Sequence, residues 1–101
     1  MGYRISWSSQ AKSEAKAIFK YLKIHWSHRS AKRFRSTLAQ LTNSLSNHPH
    51  RGRPSELGSS IRLLKIDHHN FLVYELRETE NEIMILNVLP YRMDHSVDQR
   101  F

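Results

Sequence analysis

Apolar side chains in the first half of the chain recur with the period of a helix. Residues 3–7 alternate between apolar and polar side chains and predict a short strand. From residue 11 to 26, and again from 31 to 45, apolar positions recur every three or four residues, which predicts two amphipathic helices. Residues 27–30 form a short polar break, which is long enough only for an antiparallel helix hairpin.

Serine and proline indicate where these helices begin and end. Ser8 or Ser9 can cap the first helix and Ser30 the second, because a serine oxygen accepts an unpaired N–H of the first turn. Pro49 ends the second helix, since proline cannot continue it. Residues 46–60 are rich in proline, glycine, serine and asparagine, so we predict a loop over that range.

The second half of the chain has the pattern of three strands. Strand-forming runs cover residues 61–66, 71–76 and 83–89, with connections short enough for an antiparallel meander. The order β-α-α-β-β-β predicts one α+β domain over residues 1–101. An antiparallel sheet with the two-helix hairpin packed on one face buries both apolar stripes. The residues expected to face the helices are Leu63, Val73 and Ile85, or their neighbours.

Pro90 follows the last run and bounds it. Because proline has no N–H to donate, the strand must stop or lie at a sheet edge there. The strand end then presents an aromatic ring, a guanidinium, a carboxylate and an imidazole from a rigid position. This candidate site consists of Tyr91, Arg92, Met93, Asp94 and His95.

Composition excludes several kinds of site. The chain has no cysteine, which excludes disulfides, cysteine nucleophiles and thiolate metal sites and is compatible with a reducing compartment. No apolar run approaches the ~18 residues of a membrane span, and no secretory signal is visible, so we expect a cytoplasmic protein. None of the seven histidines has helical metal-ligand spacing beside a carboxylate. We therefore expect no metal and no cofactor.

Positive charge is concentrated in the first half. Residues 1–54 hold 11 Lys or Arg and one acid, whereas residues 55–101 hold 5 Lys or Arg and 8 acids. A basic half suits an acidic partner, either nucleic acid or protein, and also suits a solvated helical face. Cations that open the second helix oppose its macrodipole, which favours an acidic partner that covers them. Aromatic residues do not interleave the basic run as on a stacking platform, so direct nucleic-acid binding by the isolated chain is not expected.

The ordered set of features resembles the RelE/ParE superfamily of type II toxin–antitoxin toxins. The set includes Trp26 before the helix break, Arg62 in the next strand and Tyr74 in an aromatic-rich strand. The segments that look most like the ParE branch are His68-His69-Asn70-Phe71 and Leu89-Pro90-Tyr91-Arg92-Met93-Asp94. In ParE-like chains the latter commonly reads Leu-His-x-Arg-Met-Asp, so Pro90 departs from that pattern.

The resemblance implies a toxin that poisons DNA gyrase and stabilises a plasmid or chromosome. It also implies a cognate antitoxin that neutralises the toxin through helix-in-groove contacts and strand addition. Such a toxin acts by binding its target rather than as an enzyme. The predicted target-binding residues are Arg62, Tyr91, Arg92, Met93 and Asp94, and the predicted antitoxin-binding residues are Phe19, Leu22, Trp26, Lys32, Arg33 and Arg35.

Two alternatives remain open at this point. A RelE-like, ribosome-dependent mRNA endoribonuclease needs groups that move protons and cations that stabilise the phosphorane. Arg62 and Arg92 can supply the cations and His95 can move a proton, but the neighbouring Asp94 repels a phosphate backbone. The other alternative is a non-enzymatic nucleic-acid-binding domain. Arg92 can also be structural, through a salt bridge to Asp94 or to an acid of the meander, and Arg62 can be a solvent-facing strand residue.

Overall fold

The computed structural model describes residues 2–91 and confirms an α+β fold with a helix hairpin. Its helices and strands follow one another in the order that the hydrophobic pattern predicts, with one additional short strand. They are β1 (Arg4–Trp7), α1 (Ser9–His25), α2 (His28–Asn47), β2 (Arg53–Ser55), β3 (Gly58–Lys65), β4 (Asn70–Arg77), a 3-10 turn (Glu78–Glu80) and β5 (Glu82–Pro90).

The five strands form one sheet in the order β1-β5-β4-β3-β2. The pairs β2–β3, β3–β4 and β4–β5 are antiparallel, as the meander predicts. β1 differs, because it pairs in parallel with β5. A parallel pair needs a long crossover, and the helix hairpin begins that connection from β1.

Serine caps both helices, but not always the serine expected. The Ser8 oxygen accepts the Ala11 N–H at 3.0 Å, as predicted for one of the two candidates. The prediction of Ser30 as the second cap is wrong: Ser27 accepts the Ser30 N–H at 3.0 Å, and α2 begins at His28. Ser27 already adopts the extended backbone that a cap requires, so the helix gains nearly one further turn.

The prediction of a continuous loop over residues 46–60 is wrong at its end. β2 pairs there with Gly58, Arg62 and Leu63 of β3, and β3 begins at Gly58 rather than at residue 61. Gly58 has a φ of 123°, a backbone conformation that favours glycine, and it begins β3 directly after the turn at residues 56–57. The short hairpin is polar and exposed, so its sequence lacks the apolar alternation of a half-buried strand.

The core lies between the sheet and the two helices. On β4 the side chains in the core cluster are Leu72, Tyr74 and Leu76, whereas Val73, which was expected with its neighbours to face the helices, is only half-buried. Leu63 is likewise half-buried. On β5 a bulge shifts the register between Ile85 and Asn87, so the buried positions change from odd to even numbers, as at Ile83, Ile85 and Val88. Neither helix within residues 2–91 combines the length and apolarity needed to cross a membrane.

Candidate functional site

A groove of about 490 Å³ runs between α1 and the adjoining ends of β4 and β5. Most of its lining is apolar or aromatic, with a few polar groups at its margins, as is usual for binding sites in proteins. It exists because β1 ends at Trp7 and leaves the second half of β5 uncovered on that side. The principal lining residues are Glu14, Ile18, Tyr21, Leu22, Trp26, His69, Leu89, Pro90 and Tyr91.

Aromatic side chains at the groove are unusually exposed. Trp26 is 66% exposed and Tyr21 is 49% exposed. The Trp26 ring lies 6.3 Å from the His69 ring, and the Tyr91 ring lies 5.3 Å from that of the buried Phe71. Large aromatic surfaces that remain in contact with water beside an apolar groove are typical of protein-binding sites.

The uncovered edge of β5 is closed by polar side chains. The Ser8 hydroxyl donates to the Leu86 carbonyl at 2.9 Å, and the Glu14 carboxylate accepts the Val88 N–H at 2.9 Å. The backbone N–H groups of alternate residues point toward the same edge of a strand. After Val88 the next such position is Pro90, whose nitrogen carries no hydrogen to donate. The prediction that the strand becomes an edge or stops at Pro90 is confirmed, since β5 ends there. Little unpaired backbone is left for another strand to join.

Glu14 was not singled out by the sequence pattern. It is the one acid among residues 1–54, and its carboxylate also accepts the Asn87 side-chain N–H at 3.2 Å and the Gln10 side-chain N–H at 3.1 Å. The bonds from Asn87 and Val88 join α1 to β5 at the groove. The sequence did contain a clue to this role, because Glu14 is a single carboxylate on the apolar side of a helix whose other charged side chains are all lysines.

Arg62 is engaged in holding the segment that leads into β2. Its guanidinium donates to the Gly52 carbonyl at 2.6 Å and to the Ser59 carbonyl at 3.1 Å. The neighbouring Tyr74 hydroxyl accepts the Gly52 N–H at 2.9 Å and donates to the Pro49 carbonyl at 2.7 Å. A side chain at Gly52 would meet the Leu63 carbonyl and the Tyr74 ring, each 2.8 Å from the added carbon. Burial raises the pKa of Tyr74 above its ordinary value.

A second polar network joins the far end of the sheet. The Ser6 hydroxyl donates to the Glu82 carboxylate at 2.5 Å, and Arg77 donates to the same carboxylate at 3.3 Å. The Ser6 bond is the main cause of the lowered pKa of Glu82, and Arg77 and Arg4 lower it further. This network joins β1, β5 and β4 and lies at the opposite end of β5 from Pro90, which identifies it as structural.

The structure separates the predicted antitoxin-binding residues into two groups. Leu22 and Trp26 lie in the groove. Phe19 lies on the side of α1 that faces α2, where the Arg35 guanidinium covers it at 4.6 Å from the ring centroid. The remaining two, Lys32 and Arg33, are exposed on α2.

The predicted target-binding residues are not brought together either. Arg62 pairs with Tyr74 on one side of β4, while Tyr91 follows Pro90, which pairs with Asn70 on the other side. The two positions are about 13 Å apart along the strand direction alone. Arg92, Met93, Asp94 and His95 lie outside the described residues. Of this predicted cluster, the structure therefore shows only Tyr91, at the margin of the groove.

Metal-ligating side chains are dispersed over the part of the chain that the structure describes. Within residues 2–91 no three His, Asp or Glu side chains are grouped closely enough to hold a metal ion. The contact closest to such a group is His50 with Glu78 at 3.5 Å, and both of these side chains are largely exposed.

Comparison by sequence identifies the family. A family model described as the ParE toxin of type II toxin-antitoxin system, parDE, matches residues 5–95. The chain belongs to the ParE toxin family. The match covers nearly the whole chain and includes Tyr91 to His95, so the resemblance seen in the sequence is confirmed. No curated protein matches this ParE family member by sequence.

Solved structures of low sequence identity share its fold. A chain of the chromosomal ParDE toxin–antitoxin system from P. aeruginosa has a TM-score of 0.72 and 19% identity, with 87% of this chain and 95% of that chain covered. A chain of the RelBE2 toxin–antitoxin complex from Mycobacterium tuberculosis has a TM-score of 0.62 and 16% identity, with coverages of 87% and 96%. A chain of the E. coli DinJ-YafQ toxin–antitoxin complex has a TM-score of 0.63 and 17% identity, with 92% of this chain and 97% of that chain covered. At sequence identities this low, the structural similarity establishes only that this ParE family member shares their fold.

Proposed function

We propose that this ParE-family toxin inhibits growth in the cytoplasm by binding DNA gyrase and that a cognate antitoxin holds it inactive. The family match over residues 5–95 is the observation that carries the proposal. The match includes the strand-end segment at Tyr91–His95, in which most of the predicted target-binding residues lie. Gyrase inhibition follows from the ParE resemblance and is the part that an experiment must test.

The position of Arg62 supports binding over RNA cleavage. A ribonuclease of this fold would use Arg62 and Arg92 as cations and His95 to move a proton. Arg62 already donates hydrogen bonds to the Gly52 and Ser59 carbonyls, so its guanidinium N–H groups have partners within the protein. A phosphorane in the same place would have to compete with these two carbonyls for the same N–H groups.

An antitoxin helix fits the groove better than an added strand does. The groove has an apolar lining and exposed aromatic rings, which suit the apolar face of an amphipathic helix. The Val88 N–H is already bonded to Glu14, and Pro90 offers none, so strand addition along this edge finds few partners. The similar chains from P. aeruginosa, M. tuberculosis and E. coli come from toxin–antitoxin systems or complexes, which also supports an antitoxin partner.

Gyrase supercoiling and ribosome-dependent translation, measured side by side, test the proposal. The purified chain is expected to inhibit supercoiling or to trap cleaved plasmid, and to leave transcripts intact on translating ribosomes. Transcript cleavage with unaffected supercoiling would overturn the gyrase target in favour of the ribonuclease.

Arg92→Ala tests the strand-end segment within the same assays. We expect at least a tenfold loss of gyrase inhibition with antitoxin binding retained, because an interface arginine commonly contributes more than about 1.4 kcal/mol. Arg100→Ala, the other arginine in the last ten residues, is the matched control and is expected to inhibit as the unchanged chain does. Equal inhibition by both variants would contradict the assignment of Arg92.

A further inference from the structure

The outer side of the helix hairpin carries a line of exposed cations, which we name the basic seam. Lys12, Lys16 and Lys20 recur every four residues and therefore lie on one side of α1. Arg35 reaches across from α2 to the Phe19 ring, which shows that this side of α1 borders α2. The seam consists of Lys12, Lys16, Lys20, Lys23, Lys32 and Arg35, all exposed.

None of these six cations makes an ion pair with a residue of the described range 2–91. The one nearby acid, Glu14, is on the groove side of α1 and is bonded to Val88. Like charges four residues apart on a helix repel each other, so this arrangement disfavours folding. The seam is therefore an unusually strong positive surface that has no internal partner in the described structure.

The seam and the groove face different directions. With 3.6 residues per turn, the seam lysines and the groove residues Glu14, Ala17 and Tyr21 are centred roughly 140° apart around α1. A helix seated in the groove leaves the seam accessible. A ligand of the seam would therefore be distinct from the segment that occupies the groove.

We propose that the basic seam binds the phosphate backbone of duplex DNA without reading its sequence. Lysines are mobile point charges suited to phosphates, and they lack the bidentate geometry that arginine offers to a base edge. From Lys12 to Lys23 the seam extends about 16 Å, which faces about five phosphates of one strand. A single-stranded ligand is less suitable, because Arg35 covers the Phe19 ring on which a base could stack.

This inference replaces the expectation from the sequence that the isolated chain does not bind nucleic acid directly, because in the sequence the cations look like a dispersed basic run. Folding brings four lysines of α1 beside two cations of α2 and leaves acids out of the seam. The binding that we infer is a second property of the toxin, independent of the gyrase-binding proposal.

Fluorescence anisotropy of a labelled 24-base-pair duplex of arbitrary sequence, titrated with the purified chain, tests the inference. The test variant is Lys12→Gln/Lys16→Gln/Lys20→Gln. The control Arg51→Gln/Arg53→Gln/Lys65→Gln removes the same charge from exposed cations away from the seam. At about 50 mM salt we expect the test variant to lose at least tenfold in affinity and the control less than threefold.

The dependence on salt gives a second readout. Each lost phosphate contact lowers the slope of log K against log salt by about 0.9, so the slope of the test variant should fall by about 2 to 3 and that of the control should not change. Far-UV circular dichroism checks that both variants keep their helices. If the triple variant loses helix, the three single lysine variants take its place, each with an expected loss of about twofold to threefold.

Three outcomes would overturn the inference. Absence of duplex binding by the unchanged chain at about 25 mM salt is one. Equal losses for test variant and control would mean attraction by net charge rather than by the seam. Tighter binding of a polyglutamate peptide than of the duplex, lost in the test variant, would assign the seam to an acidic protein instead.

Discussion

Single residues hold the segment before β2 in place through hydrogen bonds to its backbone. Tyr74 is fully buried in the centre of β4, yet its hydroxyl reaches both Pro49 and Gly52. Arg62 bonds the Gly52 carbonyl from the neighbouring strand. Together they satisfy polar backbone groups at the border of the core, where unpaired groups are costly. The segment is therefore fixed by its neighbours rather than by its own turn sequence.

Tyr74→Phe should lower the free energy of unfolding by about 1–3 kcal/mol, because the Gly52 N–H and the Pro49 carbonyl lose their partner while the ring remains. Urea denaturation measures this change. Tyr21→Phe is the control: its ring is half-exposed, and we expect a change within about 0.5 kcal/mol. Equal stability of the Tyr74 variant and the unchanged chain would contradict the structural role of this hydroxyl.

Tyr74 also makes the free energy of unfolding depend on pH in alkaline solution. Because burial raises the pKa of Tyr74 in the folded state, the unfolded chain releases this proton first as the pH rises. The contribution of Tyr74 is therefore complete below the ordinary tyrosine pKa of about 10 and declines above it. Between about pH 9.5 and 11, the Phe variant should lose less stability per pH unit than the unchanged chain does.

At the scale of elements, the unequal lengths of β1 and β5 create the groove. β1 covers β5 only as far as Ile85, and α1 then departs from the sheet with its capping Ser8 bonded to β5. Glu14, one and a half turns into α1, closes the remaining edge. The helix and the strand thus form two walls of a groove whose backbone groups are largely satisfied and whose side chains are apolar.

Glu14→Ala should destabilise the protein by about 1–3 kcal/mol, because the N–H of the fully buried Val88 loses its acceptor. Thermal and urea unfolding measure the loss. Gln10→Ala, one turn earlier and exposed, should change stability by less than about 0.5 kcal/mol. The Glu14 variant should also self-associate at high concentration in size-exclusion chromatography, since it exposes an unpaired strand edge. Unchanged stability would show that Glu14 does not close the edge.

Trp26→Ala should weaken antitoxin binding at least tenfold, because interface tryptophans frequently contribute about 2 kcal/mol or more. Ile24→Ala provides a closely matched control: Ile24 is 65% exposed and Trp26 is 66% exposed, but only Trp26 lines the groove. Isothermal titration calorimetry with the co-encoded antitoxin measures both affinities. A loss of similar size for Ile24→Ala would place the antitoxin elsewhere on α1.

At the scale of the whole molecule, charge is divided between the two layers. The helix hairpin is strongly basic, with Glu14 as its one acid, whereas Glu75 and Glu82 lie on the sheet and pair with Arg77. The ion pairs of the described residues are therefore concentrated in the sheet layer. The helical layer is held by its apolar contacts and is opposed by its own electrostatic repulsion.

Added salt should therefore stabilise the fold. Raising sodium chloride from about 20 to 300 mM shortens the Debye length from about 20 to 6 Å, which screens the repulsion between the seam cations. We expect the melting temperature to rise by a few degrees in differential scanning calorimetry, and by less in Lys12→Gln/Lys16→Gln/Lys20→Gln. A melting temperature that falls with salt would mean that ion pairs, rather than repulsion, dominate the electrostatics.

Hydrophobic periodicity predicted the helices and the three long strands because their apolar faces are long and regular. It could not predict β2, whose exposed residues show no alternation, nor the bulge on β5, which depends on the neighbouring strand. The pattern also left open whether Val73 or its neighbours face the helices, and the structure buries the neighbours Leu72 and Tyr74. Trp26 and Leu22 were predicted as antitoxin-binding residues, and both line the groove, but the contacts of Glu14 are with residues more than seventy positions away.

The pairing of β1 with β5 also bears on when the protein can fold during its synthesis. Ser6 and Glu82 are 76 residues apart, and among residues 2–91 the only strand that pairs with β1 is β5. While a ribosome is still translating β4, the nascent chain lacks Ile83, Ile85 and Val88, which are central to the core. Such distant contacts are slow to form and come last. The chain therefore acquires its groove only after translation has passed Pro90, and a shorter nascent chain lacks the surface to which we propose that the antitoxin binds.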